Sequence, residues 1–171
     1  MDSDEEEDYI PQLQIQVTIL FAPVGGNLHL FEPGEDGSVA NPSDVRQGSL
    51  GDCYFLGALS VLGCNPEQIN CVFPAGIGGG MQEYNKAGVY ALRIWRGGTF
   101  RVVVVDDWLP VDEIGQPVFA QLPHDSCEFW PLIAEKAYAK LNGTYEAIEG
   151  GHENIALQDL TGGVAFTLDL G

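Results

Sequence analysis

Apolar and polar positions alternate from Gln12 to Leu20, with Leu13, Ile15, Val17 and Ile19 on one face, and this period of two predicts a strand. At Cys53 the period changes. Phe55, Leu56, Leu59 and Leu62 fall at helical spacing around the small Gly57, Ala58 and Ser60, which predicts a central buried helix from Cys53 to Leu62 with Gly63 as its stop. A second apolar stripe, Phe129, Ile133, Ala137, Tyr138 and Leu141, predicts a helix from Ser126 to Asn142. Pro131 lies in its first turn, where a missing amide costs little, and Gly143 ends it. Between these helices, Val89 to Trp95 and Thr99 to Val105 predict paired strands turned at Arg96-Gly97-Gly98. The four valines from Val102 to Val105 suggest burial on both faces, and the strand is expected to end at Asp106 to Pro110. Glu67 to Phe73 reads as one short helical turn. Phe21 to Pro42 reads as a Gly/Pro-rich loop with a short extended piece near Leu28 to Phe31. Gly76 to Gly80 reads as a loop, and Gly150-Gly151 and Thr161-Gly162-Gly163 as turns. Periodicity alone therefore predicts a mixed α and β chain without internal repeats.

A chain of 171 residues can bury one good core, or the larger part of a split one. Lys and Arg number 7 against 25 Asp and Glu, a formal charge of -18. Such a field repels nucleic acid and acidic membranes and attracts cations, so a calcium site is physically easy. Much of the charge serves solubility, and the acidic run over residues 1–9 reads as solvated chain. The cysteines, Cys53, Cys64, Cys71 and Cys127, form no Cys-x-x-Cys pair, which argues against a zinc knuckle. Acids follow Met1 where a signal peptide would be basic and then apolar, and no apolar run reaches membrane-spanning length. An intracellular, cytoplasmic and reducing setting is the expectation.

Chemistry concentrates in Gln47-Gly48-Ser49-Leu50-Gly51-Asp52-Cys53. A thiol attacks as thiolate, and the first turn of a helix presents the positive end of the macrodipole. Gln47 could donate its side-chain amide to a developing oxyanion beside the Cys53 backbone N–H. Gly48 and Gly51 let the backbone turn between the two. A buried helix cysteine with a chance glutamine upstream is the plain alternative. Cys64, Cys71 and Cys127 lack such a neighbourhood and read as structural. His29, His124 and His152 each stand alone in polar or Gly-rich loops and read as surface or turn residues rather than as a base for Cys53.

Gln47 to Leu56 resembles the nucleophile motif of the calpains, papain-like cysteine proteases of the cytosol. Gly88 to Trp95 and Val102 to Pro110 resemble that family's sheet and its Asp-Asp-x-Leu-Pro turn. Glu128-Phe129-Trp130-Pro131 through to Ala147 is similar to its most recognisable helix, and Asp159-Leu160-Thr161-Gly162-Gly163 to the segment closing the first half of the protease core. The four ordered motifs cover roughly residues 38 to 165, which makes the match specific.

The resemblance implies an α+β fold: the left, nucleophile-bearing subdomain of a papain-like protease, with a central helix and a small antiparallel sheet. It divides the chain into an acidic N-terminal segment over 1–37 and the first half of a calpain-type core over 38–171. It implies Cys53 as nucleophile and Gln47 as oxyanion donor. Gly151 matches the glycine whose backbone binds the substrate chain, and Gly150 supports that turn. Asp44 and Glu128 match side-chain ligands of a calcium site, and Val39 falls where the family offers a backbone carbonyl. Asp44 reads equally as a turn or cap residue, and Glu128 as a first-turn helix acid.

The sequence departs from the family pattern in four places. Tyr54 stands where Trp is usual, and its hydroxyl needs a partner if buried. The small Gly-rich turn around Val39 is altered. Pro42 replaces an arginine found in some members. The family's histidine and asparagine belong to a second half of the core.

The leading expectation is the nucleophile half of a calcium-dependent endopeptidase acting on intracellular proteins. Its base would come from the second half in cis or in trans, so the isolated chain is expected to be inactive. The alternatives are a non-catalytic calpain-like regulatory or binding module, and an inactive fragment.

Overall fold

The computed structural model describes residues 20–24, 28–31, 40–74, 84–122, 127–166 and 168. The strand expected over Gln12 to Leu20 and the loop over Gly76 to Gly80 lie largely or wholly outside them. Four strands and four α-helices are present among the described residues: β1 Leu20–Pro23, α1 Cys53–Gly63, α2 Pro66–Val72, β2 Val89–Arg96, β3 Thr99–Asp106, β4 Trp108–Val111, α3 Trp130–Asn142 and α4 Glu153–Thr161. Single 3-10 turns occupy Pro42–Asp44 and Glu146–Ile148. The architecture is thus mixed, helices with small antiparallel sheets, as expected.

Helix α1 lies at the centre. It buries Tyr54, Phe55, Leu56, Ala58, Leu59 and Leu62, and touches α2, α3, α4 and the Pro42–Asp44 turn. Small residues on α1 let neighbours approach closely. The Phe55 ring stacks on Tyr138 of α3, with centroids 4.1 Å apart and planes 8° from parallel. At the other end of α3, Trp130 packs with Phe31 and Phe73 in a fully buried aromatic group, which secures the start of that helix.

The hairpin of β2 and β3 pairs Val89 with Asp106 through to Arg96 with Thr99. Gly97 and Gly98 both take positive φ, +63° and +84°, as a two-residue hairpin turn of this twist requires. The valine run is buried on one face only: Val103 and Val105 point into the core, while Val102 and Val104 are exposed. Periodicity did not distinguish a one-sided strand, because all four positions carry the same side chain.

Three further differences concern element limits. The chain does not end its sheet structure at Asp106–Pro110; after a bend at Asp107 it continues as β4, antiparallel to β1, with Leu20 opposite Val111. β1 extends into the segment expected to be loop. Helix α3 begins at Trp130, because Glu128 is held extended in a parallel bridge with His29, and the Phe129 N–H donates to the His29 carbonyl at 3.1 Å. Helix α4 was not foreseen; its short amphipathic stripe, Ala156 and Leu160 with the buried Asp159, is interrupted by polar residues. Among the described residues no helix is long and apolar enough to cross a membrane.

Candidate active site

The loop leading into α1 is shaped by a close approach of two backbones. A Cβ on Gly48 would lie 1.8 Å from the Phe119 carbonyl oxygen and 2.6 Å from that of Val118, so only glycine fits. The Ser49 N–H and hydroxyl both donate to the Val118 carbonyl, at 3.0 and 2.8 Å. The Gln121 N–H donates to the Arg46 carbonyl at 3.0 Å. Residues 46–49 are thereby pinned along residues 118–121. Past this point the Gln47 side-chain amide donates to the Leu50 carbonyl at 2.8 Å, which folds it over the turn; an amide NH2 carries a second N–H for another acceptor.

Cys53 is the first residue of α1 and is exposed, so the alternative of a buried helix cysteine does not hold. Cys64, Cys71 and Cys127 are also free and exposed, and the Cys64 thiol donates to the Ser60 carbonyl at 3.6 Å. Among the described residues no imidazole is hydrogen-bonded to the Cys53 thiol. His29 engages its neighbours through its backbone, His152 is the exposed residue preceding α4, and His124 lies outside the described residues.

The Gly150-Gly151 turn closes over the same region. The Gly150 N–H donates to the Gly51 carbonyl at 2.8 Å. Gly151 has no side chain because the Tyr54 ring takes that space: a Cβ would meet Tyr54 Cζ at 2.4 Å. Gln47, Cys53, Gly150 and Gly151, chosen from the sequence, are therefore carried by adjoining segments.

Tyr54 is buried, and the nearby Tyr138 O–H donates to Asp159 Oδ2 at 2.9 Å. Arg96 Nη2 completes the chain at 2.9 Å from the same Asp159 oxygen and donates to Asn142 Oδ1 at 3.1 Å. Burial raises the pKa of both tyrosines, so both act as neutral hydroxyls.

A second polar group under the site was missed by sequence reading. Asp52, immediately before Cys53, is 0% exposed, and Glu135 of α3 is 3% exposed. The Ala120 N–H donates to both Glu135 oxygens, at 2.9 and 3.0 Å. Neither Asp52 carboxylate oxygen has a hydrogen-bond partner among the described residues. Burial, then the charge of Asp52, pushes the Glu135 pKa up to about 9; burial also raises that of Asp52. The available signal was an acid on the apolar face of α3, beside Leu132, Ala134 and Ala139.

Asp44 and Glu128 lie apart from this group. Both are buried. Asp44 Oδ2 accepts from the Asn41 N–H at 2.9 Å and from the Trp130 indole N–H at 3.4 Å, closing the Pro42–Asp44 turn reciprocally with the Asn41 side chain. The turn-and-cap reading of Asp44 therefore describes what it does here. Glu128 is not a first-turn helix acid, since it precedes α3 in an extended bridge. Buried carboxylates are chemically suited to a hard cation, but the described residues contain no group of three or more acid, His or Cys side chains able to hold one. Val39, the third expected donor, lies outside the described residues.

The calpain family cysteine protease model matches residues 34–170. The chain is 47% identical over 131 residues to the calpain-type cysteine protease DEK1 of Arabidopsis thaliana, covering 77% of this chain and 6% of that protein. It is 43% identical over 144 residues to Calpain-5 of Caenorhabditis elegans, covering 82% of this chain and 21% of that protein. Against the Calpain-1 catalytic subunit of Gallus gallus it is 43% identical over 133 residues, covering 77% and 18%. The chain belongs to the calpain family of cysteine proteases, and it spans only 6% to 21% of the length of these three relatives.

Proposed function

We propose that this chain is the nucleophile-bearing half of a calpain-type cysteine endopeptidase site, the left subdomain of a papain-like core. The observation that carries this reading is the meeting of two turns at the start of α1. Gly150 is bonded to Gly51, and Gly151 rests on Tyr54, so a backbone suited to holding an extended peptide lies beside an exposed cysteine.

In the proposed reaction the Cys53 thiolate adds to a peptide carbonyl carbon. The carbonyl oxygen becomes an oxyanion, for which the second N–H of Gln47 and the Cys53 backbone N–H are the donors. Collapse of this intermediate breaks the C–N bond, and the amine leaves with a proton from the general acid. Water then adds to the thioester, and the carboxylic acid leaves as the thiol is restored. The general base and acid is a histidine of the second half of the core, in cis or in trans. Val164, Phe166 and Leu168 follow α4 as exposed apolar residues, which suits coverage by that half. Asp44 and Glu128, with the Val39 carbonyl, would hold calcium, supplying charge that fixes this half of the core.

The test is hydrolysis of a fluorogenic peptide. Turnover should be absent from the chain alone and appear when the histidine-bearing half of a calpain is added in trans, with Cys53→Ala abolishing it. Robust hydrolysis by the chain alone overturns the half-site reading. If the pair binds tightly yet stays inactive, the chain is a non-catalytic module instead.

A further inference from the structure

Gly51 and Gly150 form a floor without side chains beside Cys53. The Gly150 N–H donates to the Gly51 carbonyl at 2.8 Å, and Gly51 stands just ahead of Asp52 and Cys53 in the chain. Above Gly150 the space is open: a Cβ built there would meet no heavy atom within 4 Å. One side chain borders this floor. Glu149 Cγ lies 3.2 Å, and its Oε1 3.5 Å, from where a Cβ on Gly51 would stand. The Glu149 backbone is fixed, because it caps the Glu146–Ile148 turn and its N–H donates to the Glu146 carbonyl at 3.2 Å. Its carboxylate is exposed and has neither an ion pair nor a hydrogen bond among the described residues.

We infer that Glu149 is a specificity-determining residue, which favours peptides carrying Lys or Arg at the residue that supplies the attacked carbonyl. This rests on reading Cys53 as the nucleophile and Gly151 as the backbone partner of the peptide.

The shape of an extended chain leads to this assignment. Successive side chains of such a peptide point to opposite sides. A peptide lying along Gly151, with a carbonyl carbon at Cys53, crosses the Gly51–Gly150 floor between them. A long cationic side chain at that crossing lays its apolar stem over the two glycines and brings its charge to the Glu149 carboxylate. The neighbouring charges have the same sign. Glu146 opens the same turn, and Glu153 Oε1 lies 3.5 Å from where a Cβ on Gly57 would stand, one turn along α1 from Cys53. His152 follows Gly151 and makes no ion pair with Glu149. An exposed ion pair supports a preference of roughly two- to fivefold, and salt screens it.

The test is alkylation of the full chain by acetyl-Ala-Arg, acetyl-Ala-norleucine and acetyl-Ala-Glu chloromethyl ketones, with mass spectrometry giving the rate at each cysteine. The thiolate displaces chloride directly, so no general acid from a second half is needed. A chain of formal charge -18 draws a cationic reagent toward every thiol, and the exposed Cys64, Cys71 and Cys127 measure that background. The Arg-to-norleucine rate ratio at Cys53 should exceed the ratio at those three by roughly threefold, and should shrink toward it at high salt. A ratio of two probes on one chain cancels any change in the reactivity of the thiol itself. Glu149→Gln should lower the Cys53 ratio to the background, and Glu149→Lys should make acetyl-Ala-Glu faster than acetyl-Ala-norleucine at Cys53. Glu67→Gln, an exposed position on α2, should leave all ratios unchanged. Equal Cys53 ratios in wild type and Glu149→Gln overturn the proposal. If no probe modifies Cys53 faster than the other three thiols, the nucleophile reading fails instead, and this inference fails with it.

Discussion

The ring of Tyr54 occupies the space that a side chain on Gly151 would need, with Tyr54 Cζ 2.4 Å from where that Cβ would be. The residue after the proposed nucleophile and the proposed substrate-binding glycine are thus shaped to one another. Gly151→Ala must displace an aromatic ring that is already buried in the core. A loss of about 1–3 kcal/mol is expected from such overpacking, read as a lower urea midpoint. An unchanged midpoint would mean that the ring moves freely.

Gly48 meets backbone rather than side chain, and backbone cannot swing aside. Gly48→Ala should cost about 3 kcal/mol and deprotect the Ser49 and Gln121 amides in hydrogen exchange, because residues 46–49 must leave the 118–121 segment.

The buried acid pair makes stability depend on pH with a definite sign. Glu135 keeps its proton to about 9 in the folded chain against an ordinary 4.5. Its contribution is fully present below that lower value and is lost as pH rises through the higher one. Thermal midpoints measured from pH 5 to 10 should therefore fall more steeply in wild type than in Glu135→Gln. Parallel curves would show that Glu135 ionises in the fold as readily as in the open chain.

Arg96 joins β2 to Asp159 on α4 and to Asn142 at the end of α3. Its side chain is 38% exposed, so solvent screens the pair, and Arg96→Ala should cost only about 1 kcal/mol. Arg96→Lys should recover part of that, because both acceptors meet the one Nη2 nitrogen and an ammonium carries N–H donors enough for two. Chemical denaturation of the three chains checks the order.

Local patterns were legible where one element determined them. The stripe of Phe55, Leu56, Leu59 and Leu62 identified α1 nearly to the residue, and Gly97-Gly98 identified the hairpin. The proposed catalytic pair and the two turn glycines were recognisable because their motifs are contiguous in sequence. What escaped depends on partners far along the chain. Glu135 looked like any helix acid until Asp52 and Ala120 came together around it. Val102 and Val104 could not be told from Val103 and Val105 without knowing which face α3 covers. Helix α3 lost its first expected turn to a bridge between Glu128 and His29, which no local propensity encodes.

The central claim is that Cys53 is built to be a nucleophile, and its environment offers a clean test. Cys53, Cys64, Cys71 and Cys127 are all exposed and free, so access alone cannot favour one of them. Labelling with an epoxysuccinyl thiol probe across pH 5 to 9, with and without calcium, should modify Cys53 selectively and faster when calcium is present, with mass spectrometry locating the adduct. Uniform slow labelling of all four cysteines, unchanged by calcium and following an ordinary thiol pH profile, would contradict the account.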